Sequence, residues 1–261
     1  MTRTSRPGNR NENELDGAAA SKIEQGTTAE GSQGGRPPVL DNGRRRWQWM
    51  TAAASGVVIL LMMIALLPAP TAPFFQGFDT WWHSVATAPA GYKVSGVPAL
   101  LDAFGRPPGI VVFLLLMAVL ALARRWWAAL FTLLCYLVPA LFAQVVKNMV
   151  DRPRPEDPFV IVDHGSFPSG HCVQTAAFVV LIAVLLSPAV RRFWWPAGIA
   201  FVLVMMWSRT FLAAHWITDT FAGAVLGTGV ALLLWWVFAP LLARDDARRA
   251  ARKNRRKQAT A

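Results

Sequence analysis

Long apolar runs alternate with short polar stretches from about residue 50 to about residue 242. Several of these runs approach the roughly 20 residues that an α-helix needs to cross a bilayer. The pattern predicts six spans: about 50–67, about 108–123, a third that ends near 146, about 170–188, a fifth that ends near 207, and about 215–242. We therefore predict an all-α integral membrane bundle of six transmembrane helices.

The polar stretches divide the chain into three parts. Residues 1–43 are rich in Gly, Ser, Asn, Thr and Glu, which predicts a disordered cytoplasmic tail. This part is no signal peptide, because the first apolar run starts too late. Residues 44–242 are the predicted membrane domain, and residues 243–261 are a basic, disordered cytoplasmic tail. Inside the membrane domain, residues 69–108 mix prolines, glycines and aromatic residues, and we predict a loop with a short interfacial helix.

The basic residues predict the orientation of the chain. Arginine clusters occur at 44–46, 124–125 and 191–192, and a longer basic cluster follows the last span. These four places lie on one side of a six-span protein, and the positive-inside rule makes that side cytoplasmic. We therefore predict a multi-pass plasma-membrane protein with both termini in the cytoplasm. The positions of the basic residues behind the net charge of +11 are explained by membrane topology, and no nucleic-acid partner is expected.

Ionisable residues are concentrated in the stretch 208–219, between two strongly apolar runs. If the chain is helical from His215 onward, Asp219 lies four residues further on the same face. Its carboxylate can then accept a hydrogen bond from one ring nitrogen of His215, which leaves the other nitrogen free to attack. Arg209 supplies donors suited to a phosphate. The alternative is a histidine at a helix end with a capping aspartate.

Two further polar stretches lie on the same predicted outer side. The first contains Lys147 and Arg154, which face outward against the positive-inside trend and could instead be snorkelling anchors. The second is Ser169-Gly170-His171 at the start of the fourth span. Backbone N–H groups at a helix N-terminus bind anions, and glycine lets the backbone approach closely. The alternative for this stretch is an ordinary helix start with an interfacial histidine.

The spacing of these residues resembles the signature of the type 2 phosphatidic acid phosphatase family, which vanadium haloperoxidases and glucose-6-phosphatase share. Lys147 is followed after six residues by Arg154 and Pro155, and the run 168–171 reads Pro-Ser-Gly-His. Ser208 and Arg209 are then followed by His215 and Asp219. The resemblance covers about residues 50–240, and it excludes both tails and gives no counterpart for residues 69–108.

The resemblance implies a membrane phosphatase that uses no metal and no cofactor. It implies that His215 attacks phosphorus and forms a phosphohistidine, that Asp219 orients His215, and that His171 protonates the departing oxygen. A phosphoryl transition state spreads negative charge over its equatorial oxygens. The groups expected to hold those oxygens are Lys147, Arg154, Ser169, Gly170 and Arg209.

The expected partners are the bilayer and a lipid phosphate, because a site at this depth meets head groups directly. We favour a polyprenyl phosphate or pyrophosphate; phosphatidic acid, diacylglycerol pyrophosphate and phosphatidylglycerol phosphate follow. The pattern makes no prediction of oligomeric state. Cys135 and Cys172 form no disulfide framework and have no metal-ligand spacing.

Three other interpretations of the same residues were weighed. In one, His171, His215, Asp219 and His164 bind a metal ion, but three converging cations would repel a metal and attract a phosphate. A transporter of a phosphorylated solute needs a polar route across both leaflets, and no charged residue lies deep in the predicted spans. A catalytically silent scaffold would not need both histidines and the aspartate. Four residues outside the signature are expected at the mouth of the site or in solvent: Glu156, Asp157, Asp163 and His164.

Overall fold

A computed structural model of the chain describes residues 1–2 and 42–260. The predicted disordered tail, 1–43, therefore lies almost entirely outside the described residues. The described part contains helices and connecting loops without a strand. Its helices are α1 (Asn42–Leu66), α2 (Gln76–Ala86), α3 (Gly96–Phe104), α4 (Pro107–Leu122), α5 (Trp126–Val150), α6 (Gly170–Leu185), α7 (Pro188–Phe211) and α8 (Ile217–Ala259).

Four of these helices, α1, α5, α7 and α8, are long and apolar enough to cross a membrane. Helices α3 and α4 meet the same criterion only as a pair, which is bent by 61°. Helix α6 is apolar but has 16 residues, about 24 Å of helix against a hydrocarbon core of about 30 Å. The all-α membrane architecture is confirmed. The count of six spans is not confirmed and stays a prediction.

Helix α6 packs against α5, α7 and α8. Two glycines of α8 permit the closest approach. A Cβ on Gly223 would lie 2.5 Å from the backbone oxygen of Ser169, and one on Gly227 would lie 2.1 Å from that of Val173. Small residues at helix crossings let backbones come together in this way. The start of α6 is therefore held directly against the first turns of α8, where Asp219 lies.

A buried apolar cluster holds the middle of α4, α5, α6 and α8 together. Phe113, Phe131, Leu181 and Phe238 belong to it. The rings of Phe131 and Phe238 are 5.8 Å apart. This apolar packing holds the middle parts of the helices together and so fixes where their polar ends meet.

The expectation of a disordered tail from residue 243 is wrong as far as Ala259, because α8 continues to that residue. Alanine, arginine and lysine favour helix, and they dominate this stretch. The carboxylate of Asp245 also accepts hydrogen bonds from the backbone N–H groups of Trp127 (2.8 Å) and Ala128 (3.1 Å). These donors at the start of α5 have no partner inside their own helix. The extension of α8 is therefore tied to the bundle where it begins.

The segment 69–108 forms two helices, α2 and α3, where one short interfacial helix is predicted. Aromatic residues of α2 are exposed, among them Trp81, as the prediction of an interfacial helix requires. Polar residues on the other faces point inward: Asp79 is fully buried, and the side chain of Asp102 is 13% exposed. Both aspartates contact residues of the candidate site.

Candidate active site

Four helix ends and one loop meet around an open cavity of about 490 Å³. Helix α5 contributes its C-terminal part, α7 its last turn, α6 and α8 their first turns, and the loop 151–169 lies between them. Six predicted site residues line the cavity: Lys147, Arg154, Gly170, His171, Arg209 and His215. The other two, Ser169 and Asp219, are fully buried behind its wall. The structure thus brings together residues that are up to 72 positions apart.

His215 lies in the turn between α7 and α8 and is 3% exposed. Its Nδ1 atom is 2.7 Å from the backbone oxygen of Ser166. A carbonyl oxygen only accepts, so Nδ1 carries the proton and Nε2 keeps a lone pair. Nε2 lies 3.1 Å from Nη1 of Arg154, which donates to it. The ring is fixed in the tautomer that a nitrogen nucleophile needs.

The predicted hydrogen bond between Asp219 and His215 is not present, since Oδ2 of Asp219 lies 3.9 Å from Nδ1. Helix α8 begins only at Ile217, two residues after His215. The Asp219 carboxylate therefore caps the helix instead and accepts from the backbone N–H of Trp216 at 3.0 Å. It remains close enough to stabilise a positive charge on the ring. The tautomer of His215 is set by Ser166, which the sequence pattern does not single out.

Burial and nearby cations lower the pKa of His215 well below its ordinary value. Burial is the largest cause, and the positive charges of Arg154, Arg209 and Lys147 act in the same direction. At neutral pH the imidazole is uncharged. A neutral ring whose Nε2 lone pair carries no proton, in a cationic cavity, suits attack on an anionic substrate once Arg154 turns to a phosphoryl oxygen.

A buried charge network supports Asp219. Arg152 is fully buried and donates from Nη1 to Asp219 Oδ1 at 2.6 Å and from Nη2 to Asp79 Oδ2 at 2.7 Å. Asp79 also accepts from the backbone N–H of Thr218 at 3.0 Å. Buried charges persist when they are paired and hydrogen-bonded. The sequence pattern assigns no role to Arg152 or to Asp79, and residues 69–108 give no signal for the latter.

Two phosphate-binding candidates, Lys147 and Arg154, share one carboxylate. Nζ of Lys147 is 3.0 Å from Oδ2 of Asp163, and Arg154 pairs with Oδ1 of the same residue. Burial alone would raise the pKa of Asp163, but hydrogen bonding and charge from Lys147, with the charge of Arg154, bring it below the ordinary value. The Asp163 side chain is 59% exposed. This carboxylate lies at the mouth of the cavity, where it is paired with the two cations that would bind a phosphate.

A second carboxylate contacts the other half of the site. Oδ1 of Asp102 accepts from Nη1 of Arg209 at 2.6 Å, and Oδ2 accepts from Nε of Arg106 at 2.5 Å. Nε2 of His171 lies 3.1 Å from the backbone oxygen of Asp102. Sequence reasoning missed Asp102 and Arg106. No spacing pattern links them to the motifs, because they precede Arg209 by more than a hundred residues.

Several buried polar atoms in this region lack a hydrogen-bond partner among the described residues, and Oγ of Ser169 and Nε of Arg209 are two of them. Unsatisfied buried donors are rare and call for a ligand or water. Both belong to residues predicted to hold phosphate oxygens. Gly170 begins α6 beside them, and a Cβ there would meet nothing within 4 Å, so the space next to its backbone is open. An anion with several oxygen acceptors fits these donors.

The described residues offer no group of three or more His, Cys, Asp or Glu side chains placed to hold a metal ion. His164, a ligand in the metal interpretation, contacts Asn148 Oδ1 at 3.0 Å in an exposed position. Nε2 of His215 faces the guanidinium of Arg154. This donor set is cationic, and it suits an anion better than a metal ion.

Known proteins are similar to this region in sequence and in fold. A family model described as PAP2 superfamily matches residues 128–242. The chain is 34% identical over 112 residues to phosphatidylglycerophosphatase B of Bacillus subtilis, covering 40% of this chain and 55% of the relative. It is 28% identical over 130 residues to lipid A 1-phosphatase of Rhizobium johnstonii, covering 43% of this chain and 49% of the relative. The chain thus spans about half the length of the curated relatives it matches.

The fold resembles a crystal structure of a transmembrane PAP2-type phosphatidylglycerolphosphate phosphatase from Bacillus subtilis. The TM-score is 0.57 at 22% identity, and the match covers 68% of this chain and 92% of that chain. At this identity the likeness concerns the fold alone. All eight predicted site residues, from Lys147 to Asp219, lie inside the segment that the family model matches. The predicted family is confirmed for residues 128–242, where the PAP2 superfamily model matches.

Proposed function

We propose that this protein is an integral membrane lipid phosphatase that hydrolyses a phosphomonoester or pyrophosphate of a lipid through a phosphohistidine. One observation carries the proposal: the uncharged Nε2 atom of His215 faces a cavity lined by Lys147, Arg154 and Arg209. A protein catalyses phosphoryl transfer mainly by positioning the reacting groups and stabilising the negative charge, and cations fixed around the cavity provide that stabilisation. Relatives named as lipid phosphatases support the same activity.

In the first step, Nε2 of His215 attacks phosphorus, the N–P bond forms, and the bond from phosphorus to the lipid oxygen breaks. Lys147, Arg154 and Arg209 neutralise the equatorial oxygens, together with Ser169 Oγ and the N–H of Gly170. Arg154 already lies 3.1 Å from Nε2, so it can bind a phosphoryl oxygen beside the attacking atom. Asp219 stabilises the positive charge that develops on the ring.

His171 completes both steps. It gives a proton to the departing lipid oxygen, then accepts one from the water that attacks the phosphohistidine. The N–P bond breaks, inorganic phosphate forms, and His215 returns to its neutral tautomer. The ring of His171 lies at the cavity wall beside Gly105 and Arg106. The lipid oxygen therefore departs toward the side where α3 and α4 meet.

We propose that the cavity opens at the extracytoplasmic face. The arginine clusters at 124–125 and 191–192 lie at the opposite ends of α5 and α7 from Lys147 and Arg209, and the positive-inside rule supports a cytoplasmic position for them. In a Cys135→Ala, Cys172→Ala background, a cysteine at Asp157 should react with an impermeant thiol reagent in intact cells. A cysteine at Arg124 should not, and labelling there would overturn this orientation.

The identity of the lipid substrate is the most specific part of the proposal. The motif residues favour a phosphate at head-group depth, and the sequence analysis favours a polyprenyl phosphate or pyrophosphate. The relatives are named for phosphatidylglycerol phosphate and for lipid A. These substrates share a phosphate on an apolar anchor and differ in the group that carries it, so they belong together in one assay.

The test is phosphate release by the purified, detergent-solubilised protein from those lipids, with phosphatidic acid and diacylglycerol pyrophosphate added to the panel. Each reaction is run with and without EDTA, beside His215→Ala purified in parallel. We expect release from at least one lipid that survives EDTA and is absent from the variant. No release from any lipid, or loss in EDTA that zinc or magnesium restores, would overturn the proposal.

A further inference from the structure

The end of α3 and the turn after it reach into the site, although they lie outside the segment that the family model matches. Asp102 is the centre of this contact. Its carboxylate bridges two cations, Arg209 at 2.6 Å and Arg106 at 2.5 Å. Its backbone oxygen is 3.1 Å from Nε2 of His171, and its Oδ1 atom is 3.6 Å from the same nitrogen. One residue thus contacts a phosphate-binding arginine and the proposed acid.

Gly105 shows how closely this turn fits the His171 ring. A Cβ at position 105 would lie 1.9 Å from Cδ2 and 2.4 Å from Nε2 of His171. No side chain fits in that space unless the ring moves. The backbone of residues 102–105 therefore covers one edge of the imidazole, and the ring is held between this turn and α6.

The charges around His171 explain why a carboxylate is needed here. As a proton donor, His171 must carry a positive charge while Arg209 and Arg106 lie nearby. Two like charges disfavour that state, and an opposite charge within about 4–6 Å favours it. Among the described residues, Asp102 is the one carboxylate within 4 Å of His171. The Arg209 pair also fixes the direction of this carboxylate, because a guanidinium donates along defined axes.

We infer that Asp102, whose carboxylate is oriented by Arg209, is a positioning residue for the departure of the lipid oxygen: it holds the His171 ring in place and offsets the charge of the protonated imidazole. The inference rests on the proposed phosphatase function and deepens it. Asp102 forms no bond to the substrate. It acts through His171, so its contribution belongs to the step in which a proton reaches the leaving group.

The test compares substrates whose leaving groups differ in their need for a proton. Asp102→Asn keeps the size of the side chain and removes its charge. On a lipid monophosphate, whose alkoxide needs a proton, we expect kcat/KM to fall about 10- to 100-fold, part of the roughly 10²–10⁴-fold that general acid catalysis supplies. On a nitrophenyl phosphate, whose phenolate leaves unaided, we expect kcat/KM, which reports formation of the phosphohistidine alone, within about threefold of wild type. His171→Ala serves as the reference for this pattern.

A second variant displaces the His171 ring without changing a charge. Gly105→Ala introduces the Cβ that overlaps the ring and should produce the same dependence on the leaving group. The structural control is Leu101→Ala, which removes a buried apolar side chain from α3 without touching a charge. It should lower the activity on both substrates by one common factor. Thermal melts of all variants report how much folded protein each assay contains.

The outcomes separate the two proposals. If wild type releases no phosphate from either substrate, the proposed function fails. If wild type is active and His171→Ala depends on the leaving group, but Asp102→Asn and Gly105→Ala lose one factor on both substrates, the inference is overturned and α3 is only structural. Equal losses in His171→Ala itself would remove the acid role, and the inference with it. Should Asp102→Asn fail to fold, Gly105→Ala decides.

Discussion

The two histidines of the site are supported in different ways. His215 is buried, its Nδ1 atom bonds to a backbone carbonyl, and the Asp219–Arg152–Asp79 network behind it is closed to solvent. His171 lies at the cavity wall, and the carboxylate beside it is shared with two arginines. The first arrangement fixes a neutral nucleophile in one orientation. The second sets the charge around the proposed acid, next to the departing group.

This contrast predicts which substitutions should affect the activity on different substrates unequally. On the nucleophile side every substrate presents the same phosphoryl group, so one rigid geometry serves all of them. On the acid side the leaving group changes from lipid to lipid. Substitutions near His215 should therefore affect all substrates alike, and substitutions near His171 should not.

The largest effect is expected for His215→Ala. Without its Nε2 atom no covalent intermediate forms, and we expect turnover to fall by about 10⁴-fold or more on every substrate. His171→Ala should lower kcat/KM, which reports formation of the phosphohistidine and not its hydrolysis, by about 10²–10⁴-fold on a lipid monophosphate and by much less on a nitrophenyl phosphate. The kcat/KM values of both variants on both substrates are the measurement. Equal factors for the two histidines throughout would contradict the division.

Asp219→Asn should impair the same step as His215→Ala, but less. The carboxylate lies 3.9 Å from Nδ1, and Ser166 holds the tautomer, so the loss should stay below the roughly 10⁴-fold seen when a directly bonded carboxylate is replaced. The loss should be the same for both substrates. A loss as large as that of His215→Ala would mean that the carboxylate contacts the ring during catalysis.

Arg152→Leu tests the closed network. It leaves the buried carboxylates of Asp79 and Asp219 without an opposite charge, and we expect a loss of about 3–5 kcal/mol in stability. The matched control is Arg125→Leu, which removes the more exposed pair with Asp246 at 2.9 Å and should cost at most about 1 kcal/mol. Thermal or denaturant unfolding in one detergent measures both. Similar stabilities for the two variants would argue against a structural role for Arg152.

The smallest effect concerns Asp163, whose carboxylate lies on Lys147 and Arg154. A substrate phosphate must displace it from those cations. Asp163→Asn should therefore tighten inhibition by vanadate about three- to tenfold and lower KM by a similar factor, as expected for an exposed ion pair. The control is Asp157→Asn in the same loop, which should change neither value. Weaker vanadate inhibition in Asp163→Asn would mean that this carboxylate helps to hold the anion.

The motif residues were predictable because they are polar, closely spaced and placed at the ends of apolar runs, where an ionisable side chain stands out. Asp79 and Asp102 were not predictable. They contact Arg152 and Arg209 across 73 and 107 residues of chain, and those contacts depend on how α2 packs against α7 and α8 and how α3 packs against α7.

Two local errors have local causes. The prediction that Asp219 bonds to His215 assumed a helix from residue 215, and the helix starts two residues later. The prediction of a disordered C-terminal tail counted its charge and neglected its helix propensity and the caps that Asp245 provides to α5. Spacing predicts which residues meet far better than it predicts which atoms bond.

The central claim is that Nε2 of His215 forms a bond to phosphorus. The direct measurement uses His171→Ala, which should slow hydrolysis of the intermediate, mixed rapidly with a ³²P-labelled nitrophenyl phosphate and quenched in alkali, where phosphohistidine survives. We predict label on the peptide that contains His215, assigned to that residue by mass spectrometry and absent when His215→Ala is combined with His171→Ala. Label on another residue, or phosphate release by the enzyme with no labelled protein at any time, would contradict this account.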